Sequence, residues 1–102
     1  MQEKYAEALR VAAAEFLARE ANRNTLITVT RAETSADGKR AIVFITAFPE
    51  EGEEAALKFA NRNRGELGKY LSERTRGMRL PHIEFQIDIG ERHRRRLDEL
   101  SN

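Results

Sequence analysis

The sequence has 102 residues, 40% hydrophobic and 34% charged, with a net charge of +1; that is the size of one domain, and so balanced a charge excludes a disordered polyelectrolyte. It contains no cysteine, which rules out disulfides, thiolate metal ligands and a cysteine nucleophile. No apolar run reaches the roughly 18–20 residues of a membrane-spanning helix, and Met1-Gln2-Glu3-Lys4 runs into an amphipathic pattern with no signal-peptide core, so a cytoplasmic protein that does not enter the membrane is expected.

Residues 2–21 read as a helix, because Tyr5, Leu9, Ala12, Ala13, Phe16 and Leu17 recur at three- and four-residue spacing. Asn22-Arg23-Asn24 ends the pattern with turn-prone residues. Residues 25–33 are rich in β-branched side chains and read as a strand. Ser35-Ala36-Asp37-Gly38 is a turn signal, with Gly38 free to take a positive φ. Residues 40–48 follow as Arg40-Ala41-Ile42-Val43-Phe44-Ile45-Thr46-Ala47-Phe48. A strand apolar on both alternating faces suits the centre of a sheet, so the pair is expected to form a hairpin.

Pro49 stops that strand, and Glu50, Glu51, Glu53 and Glu54 suit the first turn of a helix. Ala56, Phe59, Ala60 and Asn63 share one helical face. Gly65 and Gly68 then predict an interruption near residues 63–68, with Leu67, Tyr70 and Leu71 continuing a second helical segment to about Arg76 and Gly77 as its cap. After Pro81, His82–Asp88 alternates cleanly, with Ile83, Phe85 and Ile87 on one face. Gly90 is expected to break the strand, and residues 91–100 to form a short helix with His93, Leu97 and Leu100 on one side. The stretch from Pro49 to Pro81 is long enough to cross over between parallel strands. The expected order is α-β-β-α-kink-α-β with a short C-terminal helix: an α+β fold, a three-stranded mixed sheet with helices on one face.

That order is the one found in the type II KH-like fold, and particular residues narrow it. Ile27-Thr28-Val29-Thr30-Arg31 leading to Ser35-Ala36-Asp37-Gly38-Lys39-Arg40-Ala41 resembles the first hairpin of the ribosome-binding factor A family. Asn63-Arg64-Gly65 falls where that family has an Ala-x-Gly interruption between two helices, with Asn63 in place of the alanine. Met78-Arg79-Leu80-Pro81-His82-Ile83-Glu84-Phe85-Gln86-Ile87-Asp88 resembles the family's Arg-x-x-Pro-x-Leu-x-Phe-x-x-Asp ending. The resemblance spans roughly residues 4–90. It implies a single KH-like RNA-binding domain over residues 1–102, with residues 91–102 as a basic helix or tail. It further implies a non-enzymatic factor that binds the small (30S) ribosomal subunit and its rRNA and assists late processing of 16S rRNA, in a cold-adaptation role. No cofactor and no metal are expected, and the free protein is expected to be a monomer.

The charge distribution fits a polyanion partner. Residues 1–57 carry 7 Lys/Arg against 10 Asp/Glu, whereas residues 58–96 carry 11 against 5, which concentrates positive charge in one half. Lys58, Arg62, Arg64, Lys69, Arg74, Arg76 and Arg79 straddle the expected kink, diluted only by Glu66 and Glu73. Arginine's planar fork suits phosphate and stacks on unpaired bases; the plain alternative is a solvated charged face. Asn63 and Gly65 stand at the break, either exposing helix-end N–H groups to phosphate or making an architectural bend. Gly65-Glu66-Leu67-Gly68 has KH-loop spacing, but Glu66 would face phosphate and Leu67 reads as core. Arg92, Arg94, Arg95 and Arg96 form a second basic set, either an arm reaching RNA or partners of Glu91, Asp98 and Glu99 on their own helix.

Other chemistry finds little support. His82 and His93 lack metal-pair spacing. Glu84 and Asp88 lie about 13 Å apart along a strand, too far for a retaining carboxylate pair. Ser35 and Ser72 have no base nearby in sequence. Phe16, Phe44, Phe48, Phe59 and Phe85 sit at core periodicities and are assigned to packing. Two alternatives to the ribosomal reading are a protein-interaction module using the hairpin edge or the Glu50–Glu54 patch, and a divergent KH-like RNA-binding protein with no role in ribosome assembly. A small enzyme ranks last, for want of a nucleophile, base and stabiliser that converge.

Overall fold

The computed structural model describes residues 2–20, 25–74 and 80–101. Helix α1 (Gln2–Glu20) is followed by β1 (Leu26–Thr34) and β2 (Arg40–Phe48), a 3-10 turn at Glu50–Gly52, α2 (Glu53–Arg62), α3 (Arg64–Arg74), β3 (His82–Ile87) and α4 (Ile89–Ser101). The expected turn at residues 22–24, the cap at Gly77 and the side chain of Tyr5 lie outside the described residues.

The sheet order is β1-β2-β3, with β1 antiparallel and β3 parallel to β2. The α2–α3 crossover makes the parallel pairing possible, since a tight turn cannot return a chain to the same direction. Leu9, Ala13, Phe16 and Leu17 of α1, Ala60 of α2, and Leu67 and Leu71 of α3 bury against Ala41, Val43 and Ile45 of β2 and Ile83 and Phe85 of β3. This is the α+β, KH-like arrangement the element order implies. Ala13 and Ala60 are both wholly buried; their small side chains let helix backbones come close to the sheet. Phe16 meets Tyr70 with ring centroids 5.8 Å apart, and the Tyr70 hydroxyl donates to Glu15 at 2.9 Å, so the aromatic's polar end is satisfied at the core's edge.

The hairpin turn holds itself by local chemistry. The Ser35 hydroxyl (2.6 Å) and the Lys39 N–H (2.9 Å) donate to Asp37, and these bonds hold its carboxyl below the ordinary aspartate range. Gly38 adopts φ 72°, a conformation that costs a side-chain-bearing residue strain. Between Val29 and Arg31 the register shifts. Val29 pairs with Ile45 and Arg31 with Phe44, so Thr30 is the extra residue of a β-bulge.

At the free edge of β3, Asn61 of α2 takes the place of a fourth strand. Its side-chain amide donates to the Phe85 carbonyl at 3.3 Å and its carbonyl oxygen accepts from the Phe85 N–H at 3.0 Å. These two bonds fix α2 to the strand and satisfy backbone groups that the edge leaves over. Asn61→Ala is expected to lower the unfolding free energy by about 1 kcal/mol, readable as a shifted midpoint in denaturant with an unchanged slope.

Three expectations need correction. Gly65 and Gly68 do not interrupt the helix: the break is confined to Asn63, and both glycines lie within α3. Gly90 does not end β3. It lies in the first turn of α4, where the Asp88 carboxylate accepts from the Glu91 N–H at 3.0 Å and the Asp88 carbonyl from the Arg92 N–H at 3.1 Å. A satisfied N-cap outweighs the glycine's weak helix propensity. Phe44 and Phe48 are not core: Phe44 is half-buried on the sheet face away from the helices and Phe48 is 63% exposed. Both occupy even-numbered positions of β2, whose odd-numbered neighbours Val43, Ile45 and Ala47 face inward.

Candidate nucleic-acid interface

The corner between α2 and α3 is built by two asparagines. Asn63 leaves the helical region (φ −97°, ψ 14°). Its backbone N–H still reaches the Phe59 and Ala60 carbonyls at 3.2 and 3.1 Å, and its side-chain amide donates to the Phe59 carbonyl at 2.8 Å. The Asn63 carbonyl in turn accepts the Leu67 N–H at 3.0 Å, so α3 restarts after a single residue. An alanine could bend here but could not make the side-chain bond that closes the end of α2.

On the outer side of this corner is a cleft of about 420 Å³ between the helices and the start of β3, bordered by Arg62, Arg64, Gly65, Gly68, His82 and Ile83. A Cβ added at Gly65 or Gly68 would meet nothing within 4 Å. Each glycine costs a helix about 1 kcal/mol relative to alanine, yet neither is needed for packing inside the protein. Bare backbone at the cleft wall leaves room for something outside the chain to come close. Arg62 and Arg64 are both exposed, and the Arg64 Nε–H donates to the Asn61 carbonyl at 3.0 Å, which orients its guanidinium beside the cleft.

The remaining basic residues of the kink fall into three groups. Lys58 and Lys69 are well exposed and lie 3.4 and 3.7 Å from Glu54 and Glu66; such surface pairs contribute only about 0–1 kcal/mol, so the ammonium groups stay available to a polyanion. Arg74 sits over the ring of Tyr70, its guanidinium carbon 3.6 Å from the centroid. Arg76 and Arg79 lie outside the described residues.

The C-terminal arginines are arranged differently. Arg92 donates to the buried Glu53 carboxylate at 2.9 Å and Arg95 lies 3.9 Å from it, while Arg96 hydrogen-bonds Glu50. Among the described side chains, Arg94 is the one of these four that pairs within α4, 3.0 Å from Glu91. No residue of α4 joins the buried core cluster among the described residues, and Ile89, Leu97 and Leu100 are 55%, 64% and 83% exposed. The helix is therefore held by its cap and by ion pairs. Glu50 and Glu53 are engaged by the same contacts and do not form a free acidic surface. His82 and His93 stand apart, and no group of three His, Cys, Asp or Glu side chains suited to a metal exists among the described residues. No described helix is long and apolar enough to cross a membrane.

The model of the ribosome-binding factor A family matches residues 1–101. The chain belongs to that family. The crystal structure of ribosome-binding factor A from Thermus thermophilus superposes with a TM-score of 0.75 at 32% identity, covering 85% of this chain and 96% of that one. The Thermus thermophilus factor as fitted into the cryo-EM map of a 30S complex gives 0.69 at 34% identity, over 79% of this chain and 88% of that one. A Thermotoga maritima solution structure, assigned to ribosome binding factor A, shares the fold at 24% identity, with a TM-score of 0.67 over 81% and 82% of the two chains. No curated protein sequence matches.

Several parts of this arrangement escape a reading of the sequence. His82 and Ile83 join the Arg62–Arg64 corner only through the parallel pairing of β3, whereas Gly68 lies one turn along α3 from Arg64. The structural asparagine is Asn61 as much as Asn63. The Asp88–Glu91 spacing, an Asp-x-x-Glu start to a helix, was the available signal for the α4 cap.

Proposed function

We propose that this chain binds the small ribosomal subunit through the α2–α3 corner and assists late maturation of its 16S rRNA without catalysing a covalent step. The observation that carries this reading is the juxtaposition of Arg62 and Arg64, one residue apart across the break, on the rim of a single cleft whose wall is bare glycine backbone. Two forked cations beside an unobstructed backbone suit a phosphate chain better than a small neutral substrate. Lys58, Lys69 and Arg74 on the same two helices belong to the proposed RNA-binding set, with Asn63 and Gly65 at the corner between the helices. Arg76 and Arg79 belong to the proposed RNA-binding set by their position in the sequence. Membership of the ribosome-binding factor A family, and the 30S complex into which a 34% identical relative has been fitted, point to the ribosomal subunit as the polyanion.

On this reading the chain is a single cytoplasmic KH-like domain, monomeric when free, with a role in growth in the cold. Arg92, Arg94, Arg95 and Arg96 form a second contact that must exchange Glu53, Glu50 and Glu91 for phosphate. Sedimentation of a cell lysate tests the proposal. The protein is expected with free and immature small subunits, released as salt rises and nearly absent from translating ribosomes. Equal occupancy of translating ribosomes, or a distribution that salt does not alter, would overturn it.

A further inference from the structure

A second cleft, of about 650 Å³, lies on the sheet face that the helices leave open, against the first turn of α4. It shares no residue with the α2–α3 cleft. Its volume falls within the roughly 300–1,000 Å³ of small-ligand sites. Across its floor runs a row in direct register over all three strands: Arg31 opposite Phe44, and Phe44 opposite Gln86.

The bulge in β1 creates this row. Ile27 and Val29 face the core, and unbroken alternation would send Arg31 after them. The extra residue, Thr30, turns Arg31 to the open face instead. There its guanidinium lies 4.0 Å from the centroid of the Phe44 ring. Glu33 hydrogen-bonds the guanidinium and Asp88 stands 3.6 Å from its Nε, so its plane is held from two sides. The Arg31 side chain is still 52% exposed, so part of the guanidinium remains open to solvent. Arg31 and Arg94 are balanced in the cleft by Asp88 and Glu91. A floor without net charge offers little to phosphate itself and suits the flat, hydrogen-bonding, uncharged part of a ligand. The next row, Glu33–Ile42–Glu84, is acidic and would turn any attached phosphate toward Arg94 at the other rim.

We propose that the Arg31–Phe44–Gln86 row is a platform for an unpaired nucleobase, which stacks on the Arg31 guanidinium and meets the donor and acceptor of the Gln86 amide. Guanidinium planes and amides on a sheet are suited to splayed-out bases. The base can come from a single-stranded RNA segment or from a free nucleotide; the recognised chemistry is the same.

The test is NMR titration of the isotopically labelled full chain with AMP, with an adenosine pentanucleotide and with ribose 5-phosphate. AMP or the pentanucleotide is expected to shift the Arg31 Nε–H, Gln86 amide and Phe44 ring signals, and ribose 5-phosphate is not. A response to the pentanucleotide at lower concentration assigns an RNA strand as the source; an equal response to AMP assigns a free nucleotide. Arg31→Ala is expected to weaken binding about tenfold, the scale of one lost stacking contact. Arg31→Lys should weaken it as much, because an ammonium has no plane. Gln86→Ala gives a second variant on the exposed row, and sheet amide spectra check that each variant is folded. The proposal is overturned if no signal of the row moves, if ribose 5-phosphate moves the same signals, or if Arg31→Lys binds like the wild type. Arg62→Glu with Arg64→Glu should leave the AMP-induced shifts unchanged, so failure here and failure of the α2–α3 reading are told apart.

Discussion

Reversing Arg62 and Arg64 together to glutamate is expected to weaken binding to small-subunit rRNA by more than tenfold and to flatten its salt dependence. Each cation that neutralises a phosphate releases condensed counterions, so losing two contacts should reduce the slope of log K against log salt by about 2. Reversal goes further than neutralisation, since it sets carboxylates against the RNA backbone at close range. The fold should tolerate it. Both side chains are exposed, and the hydrogen bond at stake is the exposed Arg64 Nε–H to the Asn61 carbonyl, worth about 1 kcal/mol at most. Fluorescence anisotropy of a labelled rRNA fragment at several salt concentrations measures both quantities. Arg10→Glu on α1 makes the same kind of charge change away from the corner. If it lowers affinity and slope as much per charge reversed, the protein's overall field is responsible and the corner has no special part.

The contrast with the C-terminal arginines shows why a run of basic residues does not itself define a surface. Arg92, Arg95 and Arg96 are as basic in sequence as Arg62 and Arg64, but the parallel β3 delivers α4 beside the start of α2, where Glu50 and Glu53 engage them. The acidic run after Pro49 and the arginine run after Gly90 are about forty residues apart in the chain, and only the crossover topology brings them together.

Strands β2 and β3 were legible from their side chains, because alternation and β-branching are local properties. So was the parallel pairing, which follows from the length of the segment between them. The bulge at Thr30 was not legible: residues 27–34 alternate acceptably in either register, and only pairing with β2 decides which face Arg31 takes. Nor was the part played by Asn61, an ordinary polar position on α2 until the free edge of β3 lies against it. Gly65 and Gly68 were visible as helix-weakening residues, but their significance is spatial. A glycine with empty space around it differs from one that permits a turn, and spacing in the sequence does not separate the two.

Asp88 joins these parts, and its replacement by alanine is expected to lower stability by about 2–3 kcal/mol, the scale of a lost N-cap plus a lost charge-assisted hydrogen bond. Its carboxylate accepts from the Thr30 hydroxyl at 2.6 Å and from the Glu91 N–H at 3.0 Å and lies 3.6 Å from Arg31. Burial pushes this carboxyl up, but the bonds from Thr30 and Glu91 and the charge of Arg31 outweigh it and hold the group below the usual aspartate range. A pKa depressed by folding contributes stability that is complete above the unfolded value, about 3.9, and is lost as pH falls through the folded value. Asp88→Asn keeps an acceptor for the Glu91 N–H but gives up the charge. The stability gap between wild type and Asp88→Asn should therefore be constant near neutral pH and shrink below about pH 4. Denaturant unfolding as a function of pH measures that gap, and one that stays constant into acid would mean that the negative charge of Asp88 does not contribute. Hydrogen exchange separates the consequences. Asp88→Ala should speed exchange in the first turn of α4 and around the Thr30 bulge while β2 and the core helices stay protected, because the two peripheral features share this one carboxylate.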